Sequence, residues 1–286
     1  MRVLAVPNWS FGRNRSLLQK FSEVLDTGLV WNHYCKSDPD HNRTVTAFSG
    51  DSEAVRTVLL NLCEIAFDTI DLNRHVGVHP RVGALDVCPF VLLEGSSLDA
   101  LALAEDCAAR IATTFQVPVY LYEKSERGRH EIDLPTLRRG GFGALEGKLL
   151  TPDFGPDRAH PRLGIVIMGV RGFLIAMNIN FATPEPSFAK ELAKRARELR
   201  SDGDPRFLGV RALGFPLASR EQSQLSLNLT LPDLASVDPI VDWAMSLARQ
   251  QGITVASTEL IGVIRESDMP TATHLRVEQE QVVATE

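Results

Sequence analysis

Five stretches of the chain repeat apolar residues at the three- and four-residue spacing of a helix that buries one face. The longest cover 54–72, 98–115 and 237–250, and shorter ones cover 17–25 and 188–199. We therefore predict five main helices. A short basic helix over 134–139 is also predicted, ending at the pair Gly140-Gly141.

Short aliphatic and β-branched runs, bounded by turn residues, alternate with these helices and predict strands. They cover 3–6, 29–34, 44–48, 85–90, 117–122, 165–168, 173–181, 207–213, 224–231 and 254–263. Such alternation predicts an α/β (α+β) protein. From the strand at 173–181 onwards, the order is strand, helix, strand, strand, helix, strand. This is the ferredoxin-like βαββαβ order, with both helices on one face of a four-stranded sheet.

We predict two subdomains, 1–181 and 182–265, each a mixed β-sheet with helices on its outer face. Residues 266–286 lack core-forming periodicity and predict a loosely held tail. The uncovered face of the second sheet needs a partner, so we expect the two sheets to face each other across a substrate cleft. Asn178 and Asn180 alternate with apolar residues, and they line either that cleft or simply the wet side of the sheet.

Composition narrows the class of protein. The 286 residues are 44% hydrophobic, enough for a sizeable core, and the formal charge of -6 gives no basic footprint for nucleic acid. No run approaches membrane-spanning length, and the four cysteines show no paired spacing, which indicates free thiols in a reducing compartment. We expect a cytoplasmic protein with no nucleic-acid or membrane partner.

The stretch 75–90 carries the densest chemistry. Pro80 biases His79 towards an extended conformation, so the imidazole is presented from a stiff loop. His75 adds a second imidazole, Arg81 a fixed cation and Asp86 a candidate orienting carboxylate. Together these residues form an acid/base set, although a histidine that only caps a helix is the commoner case.

A metal site in the same stretch is not expected. His75 and His79 are four residues apart, which suits a metal pair only on a continuous helix. Gly77 and Pro80 interrupt such a helix, so we predict no metal ligands.

The stretch 151–164 has no periodicity, because its prolines and glycines prevent a helix or a strand. Loops of this length inside a domain are often functional. Arg158, His160 and Arg162 give this loop cationic and hydrogen-bonding tips, whereas the alternative is a mobile, solvated loop.

Several motifs together resemble the glutamate formimidoyltransferase family, in order and spacing, over residues 2–265. They are Val6-Pro7-Asn8, Asp38-Pro39-Asp40-His41-Asn42-Arg43-Thr44, the His79-Pro80-Arg81 stretch through Cys88-Pro89-Phe90, Pro152-Asp153-Phe154-Gly155-Pro156, Asn178-Ile179-Asn180, Gln224-Leu225-Ser226-Leu227-Asn228-Leu229-Thr230 and Glu259-Leu260-Ile261-Gly262.

The resemblance implies a transferase that moves a formimino group from N-formimino-glutamate to the co-substrate tetrahydrofolate, in histidine degradation. It also implies two α/β subdomains with a substrate tunnel between them, no cyclodeaminase activity, a catalytic His79, and folate contacts from the loop Gly155 to Gly164. We further expect a homodimer that acts on these small molecules.

The chemistry agrees with this, because one imidazole can take a proton from the attacking amine and give one to the leaving nitrogen. Both substrates carry carboxylates, so arginines are expected as clamps. Besides His79 as general acid/base, the predicted substrate- and folate-binding residues are Asn8, Arg43, Arg74, Arg81, Gly155, Pro156, Arg158, Arg162, Gly164, Arg171, Asn178 and Asn180.

Two positions depart from the family pattern, since Phe11 and Lys36 stand where the family usually has acidic residues. If those carboxylates hold the cationic formimino group, a lysine opposes it and favours a neutral formyl donor. The alternatives are therefore a glutamate formyltransferase and a folate-binding paralogue without turnover. A purely structural or interaction module explains the cationic polar loops least well.

Overall fold

Contacts in the computed structural model, which describes residues 1–285, divide the chain between Arg171 and Gly172. The first unit comprises residues 1–171 and the second unit residues 172–285. Within residues 1–285, no helix is long and apolar enough to cross a membrane.

The first unit alternates strands and helices. Its strands are β1 (Arg2–Ala5), β2 (Asn8–Trp9), β3 (Trp31–Asp38), β4 (Arg43–Asp51), β5 (Leu85–Glu94), β6 (Val119–Leu121) and β7 (Val166–Val170). Its helices are α1 (Arg15–Leu25), α2 (Ser52–Thr69), α3 (Ser97–Phe115) and α4 (Leu134–Leu137). Helix starts follow local capping chemistry, because the Asn14 side chain accepts a hydrogen bond from Leu17 N (3.0 Å) at the beginning of α1.

One seven-stranded mixed sheet organises the first unit. Strand β3 lies at one edge and pairs with β4, and β1 and β2 each pair with both β4 and β5. Strands β7 and β6 follow, and the pairs β5–β7 and β7–β6 are parallel, whereas the other pairs are antiparallel. The predicted mixed sheet is therefore confirmed for this unit.

Helices α1, α2 and α3 cover one face of this sheet. Trp9, Phe21, Phe48 and Phe90 are fully buried in the core between them. A smaller apolar cluster on other sheet residues, including Val87, Tyr120 and Ile167, is covered by Leu134, Leu137, Leu145 and Leu150. The segment between β6 and β7 thus contributes to the core of the first unit.

The second unit contains β8 (Ile175–Phe181), α5 (Ser187–Ser201), β9 (Val210–Leu217), β10 (Gln222–Leu229), α6 (Val237–Gln250), β11 (Val255–Ile261), β12 (Ile264–Arg265) and β13 (Val282–Val283). Its main sheet has the strand order β11-β8-β10-β9. That order, with α5 and α6 in the two crossovers, is the topology of the predicted βαββαβ unit.

Three expectations need correction. The sheet of the second unit is antiparallel throughout and not mixed, as its register shows. Strand β8 belongs to the second unit, because it pairs with β10 and β11, so the division lies ten residues before the predicted boundary at 181. The helix predicted over 54–72, α2, ends at Thr69, and a separate 3₁₀ turn over Leu72–Arg74 follows it.

The predicted loose tail is also ordered over residues 266–285. Strands β12 and β13 pair in parallel, and the buried Gln281 side chain donates to Gly262 O (2.7 Å) and Leu260 O (3.4 Å). These bonds satisfy a buried amide and fix the segment to β11. Residue 286 of the predicted tail lies outside the described residues.

Candidate active site

Three loops of the first unit meet at the end of the sheet where β2 and β3 end and β4 and β5 begin. They are residues 10–14 after β2, the hairpin tip 39–42 between β3 and β4, and residues 75–84 before β5. They border an open cleft, whose space, including open solvent, is about 210 Å³. The cleft is lined by Trp9, Ser10, His41, Asn42, Arg43, His75, His79, Pro80, Arg81 and Asp86. It unites three predicted site residues, Arg43, His79 and Arg81, with several that were not predicted.

Asn42 holds the three loops together. Its side chain accepts from Gly12 N (2.8 Å) and donates to Val76 O (3.1 Å), so it joins the hairpin tip to both other loops. Its backbone is left-handed (φ 48°), a conformation that asparagine tolerates better than most residues. Gly77 permits the close approach, because a Cβ there would lie 2.3 Å from His41 O.

The His79 ring has a defined hydrogen-bonding direction. Its Nδ1 lies 2.8 Å from the carbonyl oxygen of Pro80. A carbonyl oxygen only accepts, so Nδ1 carries the hydrogen and, in the neutral ring, Nε2 carries the lone pair. Neutral His79 is therefore a base through Nε2.

The surroundings of His79 favour this neutral form. Burial lowers the pKa of His79 well below its ordinary value, and the nearby Arg43 and Arg138 guanidiniums lower it further. The bond to Pro80 O and the neighbouring His41 act more weakly, in opposite directions, on the same pKa. At neutral pH the ring is accordingly uncharged.

Two arginines line the cleft beside this ring. Burial lowers the pKa of Arg43 to about 10, and the adjacent Arg138 also lowers it, while Asp38 and Asp86 oppose the shift. Burial likewise lowers the pKa of Arg81, against the pull of Asp86. Both side chains still carry their charge at neutral pH, so they attract anions.

Asp86 is buried, and its partners differ from those expected. The sequence suggested that it orients a histidine, but its Oδ1 accepts from Val82 N (2.6 Å) and Gly83 N (3.3 Å). Its Oδ2 accepts from Nη2 of Arg138, at the end of α4. Asp86 thus fixes the backbone after His79 and draws a third arginine towards the cleft.

Two further histidines lie in the cleft: His75, which the sequence grouped with His79, and His41, which it did not single out as functional. His41 is buried, and its ring centroid lies 5.9 Å from that of His79. His75 donates from Nε2 to Asn42 O (2.7 Å), and burial lowers the pKa of His75. The signal for His41 was its place two residues before the predicted Arg43, whereas Arg138 gave no local signal at all.

Other predicted residues of the first unit do not line the cleft. Asn8 donates from its side chain to Val6 O (3.1 Å) and pairs through its backbone with Val45 and Val87. Arg74 is 90% exposed and lies 3.7 Å from an Asp71 oxygen. Arg171 ends the unit, and its backbone N donates to Phe90 O (2.9 Å).

The stretch 151–164 is the fixed loop that its prolines and glycines predicted. The Asp153 carboxylate accepts from Leu121 N (2.7 Å) and lies 2.7 Å from Nε2 of His130. His160 Nδ1 accepts from the backbone N of Arg162 (3.2 Å) and of Leu163 (3.0 Å). These bonds hold the loop at several points along its length.

The predicted folate-contacting residues serve different purposes within this loop. Arg158 is exposed and Pro156 half-buried. Gly155 (φ +90°) and Gly164 (φ +73°) need a left-handed backbone, and a Cβ on Gly164 would lie 2.0 Å from Val82 O. Arg162 donates to Phe67 O (2.6 Å) and Asp68 O (3.1 Å), so it caps the carboxyl end of α2.

Asn178 and Asn180 lie on β8 in the second unit, in a polar network. Asn180 donates to Glu259 Oε1 (2.8 Å) and to Ser257 Oγ (3.0 Å), and it accepts from Gln224 Nε2 (2.9 Å). Asn178 lies 3.5 Å from Glu259 Oε2. Both asparagines are buried, so they do not form a simple wet face.

The two departures from the family pattern occupy different surroundings. Phe11 is buried in the core, with its ring centroid 4.9 Å from that of Phe21. Lys36 is exposed on β3, and its Nζ lies 5.3 Å from the centre of the Tyr34 ring. Of these two residues, Lys36 alone is charged, and it lies at the surface of the hairpin. Among residues 1–285, no group of three or more His, Cys, Asp or Glu residues is placed to hold a metal ion.

Comparison with known proteins gives consistent matches. Residues 2–171 match the formiminotransferase domain, N-terminal subdomain, and residues 176–286 match the formiminotransferase domain. The chain is 31% identical to glutamate formimidoyltransferase of Streptococcus pyogenes serotype M1, over 91% of this chain and 88% of the relative. It is also 31% identical to glutamate formimidoyltransferase of Thermoplasma acidophilum, over 92% of this chain and 88% of the relative.

A longer relative matches as well. Formimidoyltransferase-cyclodeaminase of Sus scrofa is 34% identical over 92% of this chain, but over only 50% of its own length. The chain thus spans about half the length of that relative.

Proposed function

Because the chain belongs to the formiminotransferase family, we propose that this transferase moves a formimino group from N-formimino-glutamate to tetrahydrofolate, with His79 as general acid/base. The observation that carries the proposal is His79 itself, a neutral imidazole in a cleft with two arginines. Tetrahydrofolate is the co-substrate, and histidine degradation supplies the donor. The proposal includes a cytoplasmic homodimer.

The reaction needs two proton transfers at neighbouring nitrogens. The secondary amine of tetrahydrofolate attacks the amidine carbon, and its proton passes to Nε2 of His79. The tetrahedral intermediate then collapses, and His79 returns the proton to the departing glutamate nitrogen. A neutral ring with Nδ1 held by Pro80 O starts this cycle in the required form.

The cationic lining suits the anionic ends of the substrates. Arg43 and Arg81 offer guanidinium groups to a carboxylate, which is the geometry that binds carboxylates most strongly. N-Formimino-glutamate carries two carboxylates. We assign one of them to Arg43 and Arg81, close to the nitrogen with which His79 exchanges a proton.

The cleft of the first unit holds only part of the substrates. Its 210 Å³ of space includes open solvent, so the volume that it encloses is well below the roughly 300–1,000 Å³ of sites that enclose drug-sized ligands. The proposal therefore places the reacting groups and one carboxylate there. Exposed Arg158 on the fixed loop 151–164 is proposed for the glutamate tail of the folate.

The test is a direct assay. The purified protein is mixed with tetrahydrofolate and either N-formimino-glutamate or N-formylglutamate, and the absorbance of the product is followed. Product from the formimino donor, together with release of glutamate, is the expected result. Tight folate binding without product from either donor would instead identify a folate-binding paralogue.

Lys36 supports a second candidate, a formyl donor. Its exposed ammonium lies on β3, and β3 pairs with β4, which carries Arg43 at the register partner of Asp38. An added cation on this side disfavours a protonated formimino group, whereas a formyl group is neutral. Faster product formation from N-formylglutamate in the same assay would favour this candidate.

A further inference from the structure

A buried ion pair connects the His79 loop to a distant part of the chain. The Asp86 carboxylate accepts the backbone N–H groups of Val82 and Gly83 with one oxygen. Its other oxygen accepts from Arg138, 52 residues later in the chain. The exposed fractions of the two side chains are only 5% and 14%, so water screens the pair little.

The segment that carries Arg138 is firmly anchored. Asp133 caps α4 by accepting from Thr136 N (3.2 Å), and Leu134 and Leu137 pack on the second apolar cluster. A second bond ties the same segment to the loop, because Phe142 N donates to Arg81 O (2.9 Å). Arg138 therefore meets Asp86 from a fixed support.

Charges of both signs surround His79. Arg43 and Asp38 come from the hairpin, His41 from its tip, His75 and Arg81 from the loop itself, Asp86 from β5 and Arg138 from the end of α4. Arg138 is near enough to act on both His79 and Arg43. Its Nη2 donates to Asp86, whereas its buried Nε has no hydrogen-bond partner among the described residues.

We propose that Asp86 and Arg138 are a positioning pair that holds the His79 loop in place and sets the charge state in which His79 meets its substrate. The proposal rests on the proposed role of His79 in proton transfer. Arg138 supplies positive potential that keeps the ring neutral and able to accept a proton. Asp86 limits that potential, so that the ring can still hold the proton it receives.

This electrostatic role predicts shifts of opposite sign for two variants. Arg138→Gln retains a side-chain donor for Asp86 but removes a cation, so the pKa of His79 should rise. Asp86→Asn retains an acceptor for Val82 N and Gly83 N but removes an anion, so the pKa of His79 should fall. If the pair only held the loop in place, either substitution would loosen the loop and let water reach the His79 ring. The pKa of His79 would then rise in both variants.

The experiment is an NMR titration of the histidine rings in the full chain. The His79 signal is assigned by its loss in His79→Gln. Arg139→Gln removes the exposed neighbouring arginine and is the matched control, with no expected shift. Arg138→Lys keeps the charge and should restore a titration close to that of the unaltered protein. It also keeps the test decisive if Asp86→Asn does not fold.

Opposite shifts in the two variants, with Arg139→Gln unchanged, support the proposal. A rise in both variants, or no shift for Arg138→Gln, overturns it. The acid limb of kcat/KM should move in the same direction as the His79 titration. Because the titration needs no turnover, an inactive protein would contradict the proposed function without deciding the role of the pair.

Discussion

His79 is the residue on which the proposed chemistry depends. Its Nδ1 is held by Pro80 O, and burial and two arginines keep the ring neutral. The sequence predicted this position from a histidine before proline in a stiff loop. It did not predict the orienting partner, because the candidate carboxylate of Asp86 is used by Val82, Gly83 and Arg138.

Replacement of His79 by alanine should reduce formimino transfer by about 10²- to 10⁴-fold, the usual worth of a general acid/base. Tetrahydrofolate affinity should stay within about twofold, because the imidazole moves protons and does not bind carboxylates. Steady-state rates and a binding titration measure the two effects. His274→Ala, on the second unit, is the control, and near-full turnover of His79→Ala would rule out the assignment.

Lys36→Asp should raise formimino transfer relative to formyl transfer, since it exchanges a cation for an anion on β3. A unit charge at about 4 Å is worth roughly 1–4 kcal/mol between water-like and surface-like surroundings. The exposure of Lys36 places its effect at the lower end of that range. The ratio of rates with the two donors is the measurement, and Lys20→Asp on α1 is the control. An unchanged ratio would show that Lys36 does not select the donor, and formimino transfer would stay the proposed activity.

At the level of elements, the loop 151–164 shows why residue type alone does not assign a role. Arg158 and Arg162 lie four residues apart and were both predicted to bind folate. Arg162 donates to the last carbonyls of α2, whereas Arg158 is exposed, and the folate contacts of both stay predictions. A helix end has carbonyls without intrahelical partners, and a nearby guanidinium satisfies them.

Substitution of the two arginines should therefore have different effects, one on stability and the other on folate binding. Arg162→Gln should lower the free energy of unfolding by about 1–3 kcal/mol, through the loss of charged hydrogen bonds at the end of α2. Arg158→Gln should leave stability unchanged and weaken binding of a polyglutamate folate, more so at low salt. Urea unfolding and folate titration separate the effects. If Arg162→Gln is as stable as the unaltered protein, the capping role is wrong.

The whole molecule should lose stability on mild acidification. Burial lowers the pKa of His75, His79 and His160, so the folded chain resists protonation of these rings. The unfolded chain takes up protons from about pH 6.5 downwards. Stability contributed by the neutral rings is thus complete above that pH and is lost as the pH falls towards the folded pKa values.

Urea unfolding at pH 7.5 and pH 5.5 tests this expectation. Each histidine contributes at most about 1.4 kcal/mol per pH unit, and less where the ring is partly exposed. His79→Gln should reduce the difference between the two pH values. A difference that is the same in His79→Gln would mean that other groups cause the acid sensitivity.

The sequence by itself determined the elements and the loops that carry chemistry. Helical and strand periodicity is local, so helix α6 appears at its predicted bounds, 237–250, and strands such as β5 and β10 appear close to theirs. Proline and glycine likewise act on their own backbone, which is why the loops at 75–83 and 151–164 were placed correctly. The motifs within these elements were sufficient to indicate the family.

Only the tertiary structure decided which distant residues meet. Arg138 reaches Asp86 across 52 residues, Arg162 caps α2, Phe11 enters the core and β8 joins the second unit. These outcomes depend on packing and on the pairing of buried polar groups, for which no local pattern exists. The predicted substrate cleft between the two sheets stays a prediction. What folding added to the sequence is the charge around His79, because an electrostatic environment is a sum over groups that are neighbours only in space.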